Sequence, residues 1–358
     1  MSVTPRMSVH VKGFGHRRRV GECPLSGEDQ TSNLNASIKN ATLDPPKRAM
    51  PMKAAFIERH GGPEVLKFGE MPNPMATSGE VVVDIVAASV NGADWKVREG
   101  KSNPLSRFPH ILGRDFSGVV SAVGKGVRDL RVGDEVFGVC DVGQEGAYAE
   151  KIAIKAAIVA KKTDRLSHVD AAALALAGLT AICAIEDTLK VKAGETILIQ
   201  GGAGGVASFA VQLAKHLGAR VITTASASNH DYLRKIGADE IIDYNAVDFT
   251  KVVRDCDAAF DTVGGDVAQR SFTVLRAGGR AAFIASGAQA PKPDRSDVVA
   301  LRPSVGRDRQ HLERIVALVA LGAVRPLEIT CYQLSEAVAA HKVSESRHFR
   351  GKLVFQVR

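Results

Sequence analysis

The stretch ILIQGGAGGVASFAVQLAKHLGA, residues 197–219, restricts this chain more than any other feature. A strand-like run, TILIQ, leads into Gly202-x-Gly204-x-x-Ala207. A helix pattern follows, with its apolar face on Val206, Ala210, Leu213, Ala214 and Leu217. The first glycine, Gly202, permits a tight turn, and the second, Gly204, lets the backbone approach a pyrophosphate. Ala207 needs only to be small for the helix to pack on the strand. The backbone of Gly202, Ala203, Gly204, Gly205 and Val206 would then present helix N-terminal amides to negative charge. No Lys-Ser/Thr pair follows, which excludes a nucleoside-triphosphate loop. The order of strand, turn, helix and second strand predicts a dinucleotide turn. A glycine-rich turn with no ligand is the plainer alternative.

The second strand, RVITTA at 220–225, indicates which dinucleotide. A free ribose 2′-hydroxyl is usually held by Asp or Glu about 20 residues on. Here Ser226, Ser228 and Asn229 stand at that place, with Arg234 and Lys235 nearby. Hydroxyls and amides can hydrogen-bond a phosphate, so NADPH is the expected cofactor.

Around this turn the chain divides by pattern. From Met52 to about residue 155, short β-branched runs are separated by Gly, Pro and Asn, as in EVVVDIVAASVN, FSGVVSAVG and GAYAEKIAI. They predict a compact barrel-like or sandwich domain. From about Asp170 the runs TILIQ, RVITTA, EIIDY, AAFDTV and RAAFIAS alternate with helical segments, the mark of a parallel sheet covered on both faces. A helix, DRQHLERIVALVALG, and a terminal strand, GKLVFQV, close the chain.

Composition narrows the class. The 358 residues leave room for two domains. The longest apolar stretch, 171–185, is broken by Gly178 and Thr180 and reads as a buried helix, short of the about 20 residues of a membrane span. Five scattered cysteines without a CxxC pair offer no metal-site spacing and suit a reducing, cytoplasmic setting. Of the net charge of +8, half lies in residues 1–51, where eight Lys/Arg face four Asp/Glu. That segment is polar and aperiodic, so it is expected to be a disordered N-terminal extension. Its basic character makes nucleic acid a partner to weigh, though not a favoured one.

At this point a family is recognisable. VNGADWKVREG (90–100), ILGRDFSGVV (111–120), VGDEVFG (132–138), GAYAE (146–150), AGLTA (177–181), the glycine turn and SESRHFRGKLV (344–354) carry the resemblance. Together they resemble the zinc-independent quinone oxidoreductases of the medium-chain dehydrogenase/reductase superfamily, the group that includes zeta-crystallin. The resemblance implies an α/β fold with a Rossmann dinucleotide-binding domain inserted in a GroES-like, partly open β-barrel catalytic domain. The boundaries expected are 52–172 and 298–358 for the catalytic domain and 173–297 for the Rossmann domain. It also implies a homodimer, paired through an edge strand of the Rossmann sheet expected at RAAFIAS.

Zinc-dependent members hold a catalytic zinc with Cys, His and Cys or Asp. The matching positions here are Asn91, Arg114 and Leu176, none of them a useful zinc ligand, so no metal is expected. Without a Lewis acid an unactivated alcohol is not readily oxidised. Hydride delivery to an already electrophilic carbon remains: a quinone, or the β-carbon of an α,β-unsaturated ketone or aldehyde.

The resemblance places Asn91 in the cleft, where its amide can donate to the substrate oxygen; capping the turn is the equal alternative. Lys96 is a candidate donor to the oxyanion, with a solvated helix face the plainer alternative, and Asp94 is expected to order the loop. Trp95 and Tyr148 read first as packing. Arg114 reads as a buried cation paired with Asp115 or as a group reaching the substrate. Thr180 matches a position beside the nicotinamide, unless its hydroxyl bonds back within its helix. Val263 and Gly264, then Ala285 and Ser286, end strands that should face the cofactor. Tyr244 matches a position near the 2′-phosphate, and Arg350 and Lys352 can reach back into the cleft. Two other readings stay open: an enoyl-thioester reductase, and a cofactor-binding nucleic-acid or structural protein with little turnover.

Overall fold

The computed structural model describes residues 51–102 and 105–358, so the expectations for the N-terminal extension fall outside it. The chain opens with β1 (Met52–Ile57), β2 (Leu66–Met71) and the long β3 (Glu80–Val90). Helix α1 (Gly92–Arg98) leads to β4 (His110–Ile111), β5 (Asp115–Val123), β6 (Glu135–Val139), β7 (Lys151–Lys155) and β8 (Val159–Lys161). Then follow α2 (His168–Ile182), β9 (Thr196–Gln200), α3 (Gly205–His216), β10 (Arg220–Ala225), α4 (His230–Lys235) and β11 (Glu240–Asp243). Next are α5 (Phe249–Val252), β12 (Cys256–Asp261), α6 (Asp266–Arg270), β13 (Leu275–Phe283) and β14 (Val299–Leu301). Helix α7 (Arg309–Ala320), β15 (Ile329–Gln333), α8 (Ala337–Ser346) and β16 (Lys352–Gln356) complete the chain.

The six strands β9 to β14 form one parallel sheet in the order β11-β10-β9-β12-β13-β14, the doubly wound order of a dinucleotide-binding domain. β9 is buried along nearly all its length, as its unbroken apolar run demands when helices cover both faces. A seven-stranded sheet, β15-β16-β3-β5-β6-β8 with β7 also on β3, and a small sheet β2-β1-β4 make the GroES-like part. β16 lies antiparallel to β3 with Leu353 opposite Val90, so the last strand returns residues 350–352 to the neighbourhood of Asn91.

Helix α2 joins the two parts. Ser167 caps it by accepting from the Asp170 amide, while Asp170 accepts from the Ser167 amide and hydroxyl. Ala172 and Ala173 pack on Ala87 and Val354 of the barrel, and Leu174, Leu179 and Ile182 face the Rossmann core. Alanine lets the helix lie close to both. The boundary expected at 172 therefore falls inside a single helix.

Two further expectations are corrected, and a third element proves longer than its pattern suggested. RAAFIAS belongs to β13, which is not the edge: β14 pairs beyond it, Ala281 opposite Ala300, and carries the sheet past residue 297. GAYAE is a loop that meets β1 through an isolated Ala54–Ala149 bridge and the Glu150 side chain, because the strand begins at Lys151. The apolar run at 171–185 is part of a 21-residue helix, His168–Thr188, ending in a π-helical turn over Cys183–Thr188. It is long and apolar enough to cross a membrane, but 83% of its most apolar 18-residue window is buried in the protein, so the expected buried helix is borne out.

Candidate functional site

The glycine turn fits a pyrophosphate by its own geometry. Gly201, not Gly202, takes the positive φ of +74° that the tight turn requires. Gly202 is small for another reason: a Cβ there would sit 2.1 Å from Thr223 Oγ1 on the neighbouring strand. At Gly204, the N-cap of α3, a Cβ would meet nothing nearer than Gly201 O at 3.4 Å, so the outer side is open. No side chain caps this helix. The bridge from Gly204 to Gly351 engages the Gly205 amide, while the amides of Val206 and Ala207 have no intrahelical acceptor and are left for an anion. The residue just before β16 braces the turn: Gly351 N donates to Ala203 O at 2.8 Å.

The loop after β10 forms a polar pocket. Asn229 Nδ2 donates to Ser226 Oγ at 2.9 Å, and Ser226 and Ser228 hydroxyls lie 3.2 Å apart. Arg350 does reach back. Its Nε donates to Asn229 Oδ1 at 2.7 Å, another nitrogen donates to Ser228 O, and Glu328 holds it from behind at 3.1 Å. Its guanidinium stands over the Tyr232 ring, 5.3 Å from the centroid. Tyr244 follows β11, whose Asp243 lies opposite Ala225, so its half-exposed ring is abreast of Ser226. Hydroxyls, an amide and a guanidinium meet here with no carboxylate at the end of β10, a donor set that fits a phosphate.

Other expected cofactor contacts are redirected. Val263 N and Gly264 N donate to the buried Asp261 carboxylate, so these amides stabilise their own turn. Thr180 donates to Leu176 O at 2.7 Å, one helical turn back, and Ser286 donates to Gln289 O. Ala285 backs onto Gly264, where a Cβ would lie 2.8 Å from Ala285 O. Lys352 is buried and faces away from the turn's outer side: its Nζ donates to Val90 O at 2.9 Å and to Asn91 Oδ1 at 2.7 Å.

Asn91 is correspondingly occupied. Its Nδ2 donates to Asp115 Oδ1 at 2.7 Å and to Ser89 O at 3.4 Å. Both protons of the amide have partners, so Asn91 is not a free donor to substrate. Asp115 is wholly buried and also accepts from Ser89 Oγ and Leu176 N. Burial pushes its carboxyl up and Lys352's ammonium down, each opposed by the other's charge. The unit Asp115–Asn91–Lys352 ties β5, α1 and β16 together.

Asp94 orders the loop as expected. It accepts from Asn91 N at 2.9 Å, closing the first turn of α1, and from Tyr148 Oη at 2.6 Å. Arg114 pairs with Glu145 at 3.1 Å and approaches Asp94 at 3.4 Å, so Asp115 is not its partner. Burial first, and Glu145 in part, push the Asp94 carboxyl up to about 7 against the pull of Arg114. Burial raises Tyr148 too. Tyr148 is thus packing and hydrogen-bond donor at once.

Among the described residues no carboxylate pairs with Lys96. It is half-buried, and its ammonium stands 5.6 Å from the Trp95 ring centroid, with Arg347 at 5.8 Å from the same ring. Burial lowers its pKa, and the charges of Arg347 and Arg302 lower it further. Arg302 follows β14 in the Rossmann part, so Lys96 and Arg302 face one another across the two parts. Asp261, Glu145 and Arg302 were not singled out from sequence. Asp261 alone had a legible signal, an Asp two and three residues before amides in DTVGG.

Two family models match the chain: an alcohol dehydrogenase GroES-like domain over residues 77–164, and a zinc-binding dehydrogenase over 236–355. The chain is 32% identical to the chloroplastic NADPH-dependent alkenal/one oxidoreductase of Arabidopsis thaliana, covering 95% of this chain and 89% of that protein. The quinone oxidoreductase of Coxiella burnetii matches with a TM-score of 0.79 and 36% identity, over 86% of this chain and all of that one. The Escherichia coli quinone oxidoreductase complexed with NADPH matches with a TM-score of 0.78 and 28% identity, over 85% of this chain and all of that one. With that turn, that pocket and these likenesses, the chain belongs to the medium-chain dehydrogenase/reductase superfamily, among its quinone and alkenal/one oxidoreductases.

Proposed function

We propose that the protein is an NADPH-dependent reductase that delivers hydride to quinones or α,β-unsaturated carbonyl compounds without a catalytic metal. The observation that carries this reading is the pocket of Ser226, Ser228, Asn229 and Arg350 beside the open amides of α3. When bound, NADPH supplies the hydride. The chain's residues do the rest. The α3 amides hold the pyrophosphate, and the serine–arginine pocket holds the 2′-phosphate. Lys96 donates to the oxygen on which charge develops.

The three positions matching the zinc ligands of relatives do not suit a metal. Asn91 is engaged by Asp115 and Lys352, Arg114 is a cation, and Leu176 has no ligand atom. An acceptor that is already electrophilic is therefore the substrate class. The name of the Arabidopsis relative supports the same chemistry. The protein acts as a homodimer joined along β14, one of the two edges of the Rossmann sheet.

The test is cofactor oxidation with 1,4-benzoquinone, 9,10-phenanthrenequinone, an alkenal, a simple enone and a crotonyl thioester, with NADPH and NADH in parallel. Turnover of the quinones or enones with NADPH preferred is the expected result. NADH serving equally well overturns the cofactor assignment, and activity confined to the thioester overturns the substrate class. Activity abolished by chelator while the protein stays folded, and restored by zinc, overturns the metal-free reaction.

A further inference from the structure

The helix that joins the two parts of the molecule ends in a π-helical turn, Cys183–Thr188, packed against the start of α7. Cys183 Sγ, an Asp187 oxygen and a His311 ring nitrogen lie within 4.8 Å of one another there. Four residues apart on a helical turn, Cys183 and Asp187 share a face. Asp308 caps α7, and accepts from the His311 amide and from its Nδ1 at 2.7 Å. That leaves Nε2 pointing to Asp187, 2.8 Å away. Glu186 and Arg314, at 2.7 Å, pair beside this group and clamp the same two elements.

We propose that Cys183, Asp187 and His311 form a zinc(II) site, with Asp308 holding the imidazole from behind and water completing the tetrahedron. A thiolate, an imidazole and a carboxylate are the donor types zinc takes. A carboxylate on the second ring nitrogen is the usual support of a metal-bound histidine. Tetrahedral zinc spaces such donors by about 3.3–3.8 Å, so the cluster needs adjustments of about 1–1.5 Å at most. Asp187 is exposed and gives the ion an entry path. Burial pushes the Cys183 thiol up to about 11, so the thiol is protonated until the ion displaces its proton to solvent. These are not the positions at which zinc-dependent relatives hold a catalytic metal, and the proposal does not depend on the reductase reading. The ion would fasten α7 to the joining helix without entering the reaction.

Cobalt(II) titration of chelator-treated protein tests this. The expected result is a tetrahedral visible spectrum with a thiolate-to-cobalt charge-transfer band. The band disappears in Cys183→Ser and persists in Cys331→Ser, whose thiol is exposed elsewhere. Asp308→Asn weakens cobalt binding by about 10–100-fold. Zinc raises the melting temperature of the parent protein and not of Asp187→Asn or His311→Gln, which carry the test should Cys183→Ser fail to fold. A spectrum with no thiolate band, a band retained without Cys183, or zinc stabilisation unchanged in both other variants overturns the site.

Discussion

At the scale of single residues, the depressed pKa of Lys96 makes it a better acid than an ordinary lysine, provided its proton is present. Lys96→Met is expected to lower kcat/KM by about 100-fold with cofactor KM little changed, read by steady-state kinetics. The parent activity should fall as pH rises through the lowered lysine pKa, and the variant should lack that limb. Arg350 acts on the cofactor instead. Arg350→Met is expected to raise the KM for NADPH by about 10-fold and leave that for NADH unchanged, because only NADPH carries the phosphate. Asp94 shows how a residue at the site sets stability. Its folded pKa, about 7, lies above the unfolded value of 3.8, so the fold favours its protonated form. That contribution is fully present below pH 3.8 and is lost as pH rises through 7. Melting temperatures across this range should decline less steeply in Asp94→Asn than in the parent.

At the scale of elements, the glycine turn separates binding from packing. Gly204→Val brings its Cβ into contact only with Gly201 O at 3.4 Å, so the protein should fold with a melting temperature near the parent's, while the isopropyl group blocks the phosphate and raises the KM for NADPH at least 10-fold. Gly202→Ala drives a methyl against Thr223 on β10 and should destabilise by about 1–3 kcal/mol, measured by denaturant unfolding. The sequence pattern predicted this turn from its glycines but misassigned their duties. Spacing says that something small is needed at Gly202, but only the position of β10 says what it avoids.

For the whole molecule, the edge that matters is β14, three residues long and invisible as a strand in the pattern. Val299 on it is 52% exposed, an apolar side chain on an unpaired edge. Val299→Lys should leave the fold intact and convert a dimer to a monomer in analytical ultracentrifugation; an unaffected dimer places the interface elsewhere. What the chain alone determined were the features written in local periodicity: the strand–turn–helix at 197–219, the alternation of the Rossmann part, the short β-runs of the barrel, and the absence of a carboxylate after RVITTA. These depend on neighbours a few residues apart, so they survive without tertiary context. The tertiary structure decided the rest, because it depends on which distant groups meet. Asn91 meets Asp115 and Lys352 through a strand some 260 residues later, Arg114 chooses Glu145 over its neighbour, and Arg350 reaches the loop after β10. A hydrogen-bonding group's role is set by whether its valence is already filled, and only the folded chain fills it.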